Sequence, residues 1–515
     1  MYRFKNYKFQ FLDLGIFCLI LFLCLEWALS MNWRQVHDLP ILNYIAFLIN
    51  KFGYKPYKEI FETSMPGVIL VHVILTKIAG YGDFAMRVFD LLFFLLLSFF
   101  SYKIFSKIDK RASIIGICFF GLYYLWEGHS MSLERDYIAI LPILVALFFM
   151  VDKSRFFLSG LFWAIAFWIK PHLLVGLIPI FIFLKINFKG NLKSIIGYFI
   201  LGFFVFGSII FGWLAFNQVF FSWWEIFTQY LPLHIKMPHN LVILEQNDRL
   251  PYLWRGLSTF GQQAKWFYPL FVVGIITIFL VRERKTKNLI FLFISLVFVY
   301  WIYTAISGQF WKYHWMPFKY FLIMTASLIF SKKIGFAFFS QFKFSNNLWL
   351  KKDPFLNVIY LLGLVVFSFF YVKPITTWNE QIRGNQVISE KNNLADELTN
   401  LIIENTKPSD KIQVLDWTEG SIQALLQAKR PLATPFLYDY VFYHQIANPY
   451  VLELRKRFLK DLALNKPIWI IDMKTRIHVT GVGTTDKFVA LDTFILQYYK
   501  PFMETKLYKI WIRKK

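Results

Sequence analysis

Runs of about 20 mostly apolar residues recur through the first 370 positions, separated by short polar segments. In lipid, every backbone N–H and C=O must find its partner inside the same segment, so such runs are compatible with spanning helices and little else. About eleven can be marked, near 11–30, 84–105, 112–126, 137–151, 156–169, 172–184, 194–216, 267–281, 288–306, 315–330 and 354–372. Only Lys170, Pro171 and His172 divide the fifth from the sixth, which could instead be one helix kinked at the proline. Composition agrees: of 515 residues, 57% are hydrophobic and 17% charged, against about a quarter charged in soluble domains. The expected fold class is an α-helical polytopic membrane protein.

A net charge of +24 would ordinarily suggest nucleic acid, but the cations do not form the stripe on a soluble face that such binding requires. They cluster between the apolar runs, on alternate sides. With a basic N-terminus inside (Arg3, Lys5, Lys8), the inner loops hold Lys107, Lys110 and Arg111; Lys153 and Arg155; Lys185, Lys189 and Lys193; Arg282, Arg284, Lys285 and Lys287; and Lys332, Lys333, Lys343, Lys351 and Lys352. This is the asymmetry that sets orientation in a cytoplasmic membrane. The first run lacks a small-residue cleavage site after it and reads as a retained anchor. Cys18, Cys24 and Cys118 all lie within apolar runs, so neither a disulfide framework nor a cysteine metal site is expected.

The outer loops are then 31–83, 127–136, 170–172, 217–266 and 307–317, and they carry nearly all the unusual polar clusters. Within the first, 39–51 has apolar residues at helical spacing and should lie along the membrane surface; 68–78 should be a second such helix. Beyond 372 the composition turns polar. Helices at 391–405, 420–428 and 450–464, with strands at 412–417 and 467–473, suggest a small soluble α/β domain. The expected division is 1–372 for the membrane part and 373–515 for an external domain.

Several outer residues could carry chemistry. Asp38 lies just past the first run, where a carboxylate can accept a proton or hold a metal; Asp-Leu-Pro ahead of a helix is equally ordinary capping chemistry. Glu59 or Glu62 could pair with Asp38 or orient an acceptor; the alternative is that both are solvated, and Glu62 reads as solvated. Arg87 and Asp90 share a helix face three residues apart, which favours a structural ion pair. Arg135-Asp136, Lys170-Pro171-His172 and Lys312-Tyr313-His314 put cations at one depth on one face, as binding a lipid-linked phosphate requires. Anchoring to headgroups accounts for any one of these cations but poorly for His172 and His314. A zinc site from His37, His172 and His314 lacks supporting spacing.

The segments HDLPILNYIAFLINKFGYKPYKEIFETSMPG, YGDFAMRVFDLL, SLERDY, WIKPHLL and WKYHWMPF resemble the bacterial GT-C fold glycosyltransferases, relatives of the protein O-mannosyltransferases and of the aminoarabinose transferase of lipid A. The tail LYDYVFYH…LRKRFLKDL resembles the external domain of the same group. The resemblance implies inverting transfer of a sugar from a polyprenyl-phosphate donor to a lipid, glycan or protein acceptor outside the bacterial inner membrane. It maps the catalytic aspartate onto Asp38, with Glu59 as second acid, and donor-phosphate contacts onto Arg135, Lys170, His172, Lys312 and His314. His37, Asp136 and Arg87 would support them. Many relatives have two adjacent acids in the first loop; here His37 and Leu39 flank Asp38, which leaves open whether Asp38 and Glu59 hold a divalent Mg or Mn ion. Two other readings remain: a lipid or sugar transporter, whose polar residues belong nearer the midplane, and an inactive scaffold of the same fold.

Overall fold

The computed structural model describes residues 11–188, 191–237, 248–259, 267–308, 310–331, 389–475 and 483–514, together with 382–383 and 479. Every expected run except 354–372, which lies outside the described residues, is helical. By length and composition, four described helices can cross a membrane: Asp13–Ser30, Asp83–Phe105, Leu192–Phe216 and Arg284–Ile306. The other runs are shorter or broken. The 137–151 run divides into Arg135–Ile138 and Ile140–Val151. Helix Phe156–Ile169 ends at Lys170, whose extended backbone leads into a 3-10 turn over Pro171–Gly176 and then helix Leu177–Asn187. This is two helices and a turn, not one kinked rod: proline leaves the preceding residue out of the helical region.

Apolar residues pack the helices and glycines bring them close. A Cβ on Gly160 would sit 1.9 Å from the Phe199 carbonyl oxygen, and one on Gly202 1.9 Å from that of Phe157. Helices Phe156–Ile169 and Leu192–Phe216 therefore cross backbone to backbone, the usual use of small residues where lipid gives no hydrophobic drive.

The first loop forms helices Asp38–Phe52 and Pro66–Ala79. Contrary to the expectation of a helix lying open on lipid, Leu39 through Leu48 are all buried. The covering comes from the C-terminal part. Tyr44 and Tyr54 donate from their hydroxyls to the carbonyls of Arg430 (2.9 Å) and Leu432 (3.1 Å). Phe61 N–H donates to Pro435 O at 2.7 Å, and the Phe61 ring stacks on Phe436 with centroids 5.2 Å apart. An amphipathic stripe specifies burial of a face; it does not say whether lipid or protein buries it.

The C-terminal part has the expected helices, at Glu390–Asn405, Ser421–Ala428 and Pro449–Asn465. Its two expected strands, β1 (Ile412–Leu415) and β2 (Trp469–Met473), pair in parallel. Helix Val489–Tyr498 and a hairpin of β3 (Tyr499–Glu504) and β4 (Tyr508–Arg513) complete a sheet of order β1-β2-β4-β3. The expected boundary at 372/373 falls outside the described residues. Arg34 ties this part to the first loop, reaching Asp396 with both terminal nitrogens at 2.7 and 2.8 Å and Asp83 with Nε at 2.8 Å.

Candidate active site

Asp38 is the first residue of its helix. His37 before it takes φ 60°, ψ −126° and makes no side-chain capping bond. Left-handed backbone costs a non-glycine residue free energy and marks positions held by their surroundings. Here Gln35 N–H donates to Asp83 Oδ1 at 3.0 Å, and the Gln35 carbonyl accepts from Asn392 Nδ2 at 2.7 Å. Pro40 falls in the first turn, where its missing N–H costs nothing. Asp38 does not cap; its Oδ2 accepts from Arg135 Nη2 at 2.5 Å.

Arg135 is aimed by its own turn. Leu133, another left-handed residue (φ 52°), bonds through its N–H to the Tyr124 hydroxyl at 3.4 Å, and helix Arg135–Ile138 starts immediately after. The guanidinium also donates to the Tyr313 hydroxyl (3.0 Å) and to Ser64 Oγ (3.2 Å), and lies 5.5 Å from the Tyr313 ring centre. Its buried Nε has no hydrogen-bond partner among the described residues.

Asp136, the next residue, turns to the other side. The Tyr303 hydroxyl donates to its Oδ1. Lys170 Nζ and His314 Nε2 stand 3.7 and 3.8 Å from Oδ2 and 3.0 Å from each other. Burial pushes the Lys170 ammonium down, opposed by the negative charge of Asp136. Segments far apart in sequence thus deliver Asp38, Arg135, Asp136, Lys170, Tyr313 and His314 to one place. His172 joins the edge, its ring 6.4 Å from that of Tyr303 and its buried Nδ1 without a partner among the described residues.

Two further carboxyls stand in this cluster. Glu62, expected to be solvated, is 4% exposed; its Oε1 accepts from Ser64 N–H at 2.8 Å. Burial raises its pKa, partly offset by the Ser64 bonds and the Arg135 charge. Glu134 is also buried, and desolvation followed by the repulsion of Asp38 raises it well above the ordinary carboxyl range. Desolvation disfavours whichever form is charged, and neighbouring like charge adds to it. Tyr438 and Tyr440 of the C-terminal part stand close enough for the charges on Glu62, Asp38 and Arg135 to act on their hydroxyls. Tyr303 and Tyr313 also belong to the site. Flanking position beside His314 was the only sequence signal for Tyr313, and Tyr303 had none.

The other expected residues have partners or exposure of their own. Glu59 is exposed and accepts from Lys55 N–H at 2.7 Å within its own turn. Lys312 pairs with Glu127 and donates to its carbonyl at 3.3 Å. His37 is exposed. Arg87 makes the buried ion pair favoured for it, 2.5 Å from Asp90, with further bonds to Ser30 and Ser132 and the Trp27 and Trp33 rings 4.9 and 4.5 Å from its guanidinium carbon. No group of three or more His, Cys, Asp or Glu side chains suited to a metal occurs among the described residues. Asp38 and Glu59 do not converge on a dication, and a guanidinium occupies the flank of Asp38. The residues present do not fit the divalent ion left open above.

No family model and no curated protein sequence matches the chain. Solved structures do. ArnT from Cupriavidus metallidurans in the apo state matches with a TM-score of 0.58, and the same protein bound to undecaprenyl phosphate with 0.56. Each match has 12% identity and spans 96% of this chain and 97% of the other. The fold is GT-C. At that identity the likeness extends to nearly the whole architecture, membrane helices and C-terminal part together, and the chemistry must be argued from the side chains.

Proposed function

We propose that this chain is a membrane glycosyltransferase that moves a sugar from a polyprenyl-phosphate donor to an acceptor on the outer face of a bacterial inner membrane. The observation that carries the reading is a cluster of buried polar atoms without hydrogen-bond partners among the described residues: Arg135 Nε, Asp136 Oδ2, His172 Nδ1, Glu62 Oε2 and Glu134 Oε2. Proteins rarely leave such atoms unmatched, and a group of them beside paired charges is what a polar substrate would satisfy. The GT-C fold supports this reading, as does the undecaprenyl phosphate bound to ArnT.

In the proposed reaction an acceptor hydroxyl or amine attacks the anomeric carbon. The new bond forms as the bond from that carbon to the phosphate oxygen breaks, with inversion, and the electron pair leaves with the phosphate. Asp38 takes the acceptor proton, and Arg135 and Lys170 stabilise the charge developing on the leaving phosphate. Tyr303 and His314 hold Asp136 and Lys170 in place. The positive-inside distribution of the basic loops supports N-terminus in and catalytic end out.

The test is transfer by Asp38→Asn in membranes, read by mass spectrometry of envelope lipids and glycans. Loss of the product with normal expression and folding is expected. Unchanged transfer would defeat the assignment, and a lipid-linked sugar that only changes sides would establish the transporter instead.

A further inference from the structure

The other end of helix Phe156–Ile169 carries a feature that sugar transfer does not use. The helix is 14 residues long, so its first turn lies about 20 Å from Lys170 at the active site. There a cleft of about 500 Å³ is lined by Ser154, Arg155, Phe157, Asn191, Ser194 and Tyr198, among others. It lies on the N-terminal side of the Gly160–Gly202 crossing on both helices that wall it. Its chemistry is divided. Phe157 and Tyr198 offer apolar surface, whereas Arg155 projects an exposed guanidinium that forms no ion pair among the described residues. Arg155 and Asn191 occupy the N-cap positions of helices Phe156–Ile169 and Leu192–Phe216, and neither side chain caps. The cleft thus has an exposed cation at its mouth, beside the starts of two helices whose first-turn N–H groups lack intrahelical partners, with apolar walls behind. Lys153 and Lys193 neighbour the lining residues in the chain. Charge complementarity calls for an anion, and the apolar walls call for one that carries acyl chains; a basic recess between spanning helices on the lysine-rich side is the usual setting for a lipid headgroup.

We propose that this cleft binds the headgroup of an anionic phospholipid, with Arg155 contacting the phosphate and Phe157 and Tyr198 lying along the first part of the chains. The site is distinct from the catalytic end, and the proposal stands whether or not Asp38 transfers a sugar.

The experiment uses the full chain in phosphatidylcholine nanodiscs with a minor fraction of phosphatidylglycerol, and native mass spectrometry counts the phosphatidylglycerol retained after release. Losing a charge-assisted hydrogen bond should cost about tenfold in retention for Arg155→Ala. Arg155→Lys, which keeps the charge, should retain most of it. Ser194→Trp, which fills the cleft without removing a charge, should also lose the lipid. Equal retention by wild type and Arg155→Ala would overturn the proposal, as would equal retention of phosphatidylcholine. Inorganic phosphate displacing the bound lipid at millimolar concentration would also overturn it, because the site would then be one for a soluble anion. If Arg155→Ala fails to fold, Ser194→Trp decides alone.

Discussion

Arg135→Ala tests whether the Asp38–Arg135 contact organises the site or merely accompanies it. The guanidinium bonds to Asp38 at 2.5 Å, Tyr313 at 3.0 Å and Ser64 at 3.2 Å. Removing one partner of a buried pair costs about 3–5 kcal/mol. The two side chains here keep 21% and 25% of their exposure, so solvent recovers part of that cost and about 2–3 kcal/mol is expected. In a double-mutant cycle, Asp38→Asn should reduce the penalty of Arg135→Ala, because the carboxylate left unpaired in the single variant is then neutral. The coupling should be about 1.5–3 kcal/mol. Unfolding can be followed by the reactivity of Cys118, which is 2% exposed, in a Cys18→Ser, Cys24→Ser background. Additivity within about 0.5 kcal/mol would show that the two groups act independently and refute the reasoning.

Glu134→Gln should retain folding and most transfer activity, because burial and the Asp38 charge already favour the uncharged acid; a hundredfold loss would mean that Glu134 works as a carboxylate. Gly67→Ala should destabilise the chain by about 1–3 kcal/mol in thermal unfolding and impair transfer. Its Cβ would lie 2.5 Å from the Trp168 carbonyl, pushing helix Pro66–Ala79 against the chain leading to Lys170; wild-type unfolding would contradict the packing. Arg34→Ala should speed amide exchange in helices Asp38–Phe52 and Glu390–Asn405, since it removes the link to both Asp83 and Asp396. The link also sets a pH dependence. Hydrogen bonding to Arg34 depresses the Asp396 pKa, so its contribution is in force above the unfolded aspartate value of about 3.9. It is lost as pH falls through the lower folded value, and acid-induced exchange that begins near neutral pH would count against it.

Much of this site was legible because its residues break a local rule. Arg135, Asp136, Lys170 and His314 are polar or charged at the ends of apolar runs, where lipid-exposed charge is costly, and the structure brings all four together. Asp38 was legible for the same reason, although the sequence equally allowed a cap. Lys312 broke the same rule and Glu59 was a candidate as a partner for Asp38, yet each has a nearby partner of its own, the Glu127 carboxylate or the Lys55 N–H. Proximity along the chain identifies candidates; competition among nearby partners decides which of them reach the site.

What the sequence concealed was the contribution of the C-terminal part. Glu62 reads as solvated because an unpaired carboxylate is seldom buried and a loop is ordinarily wet. It is buried because Phe61 beside it bonds to Pro435 and stacks on Phe436, contacts nearly 375 residues distant. The same docking covers the first-loop helix and brings Tyr438 and Tyr440 within electrostatic reach of Asp38 and Arg135. Closing this face lowers the local dielectric, which strengthens the attraction between Arg135 and Asp38 and favours the neutral form of Glu62. A phosphate reaching Arg135 would therefore meet one carboxylate paired with that arginine and two carboxyls biased against charge, not three repelling anions. The C-terminal part would thus act on the proposed chemistry through burial, by biasing Glu62 against charge.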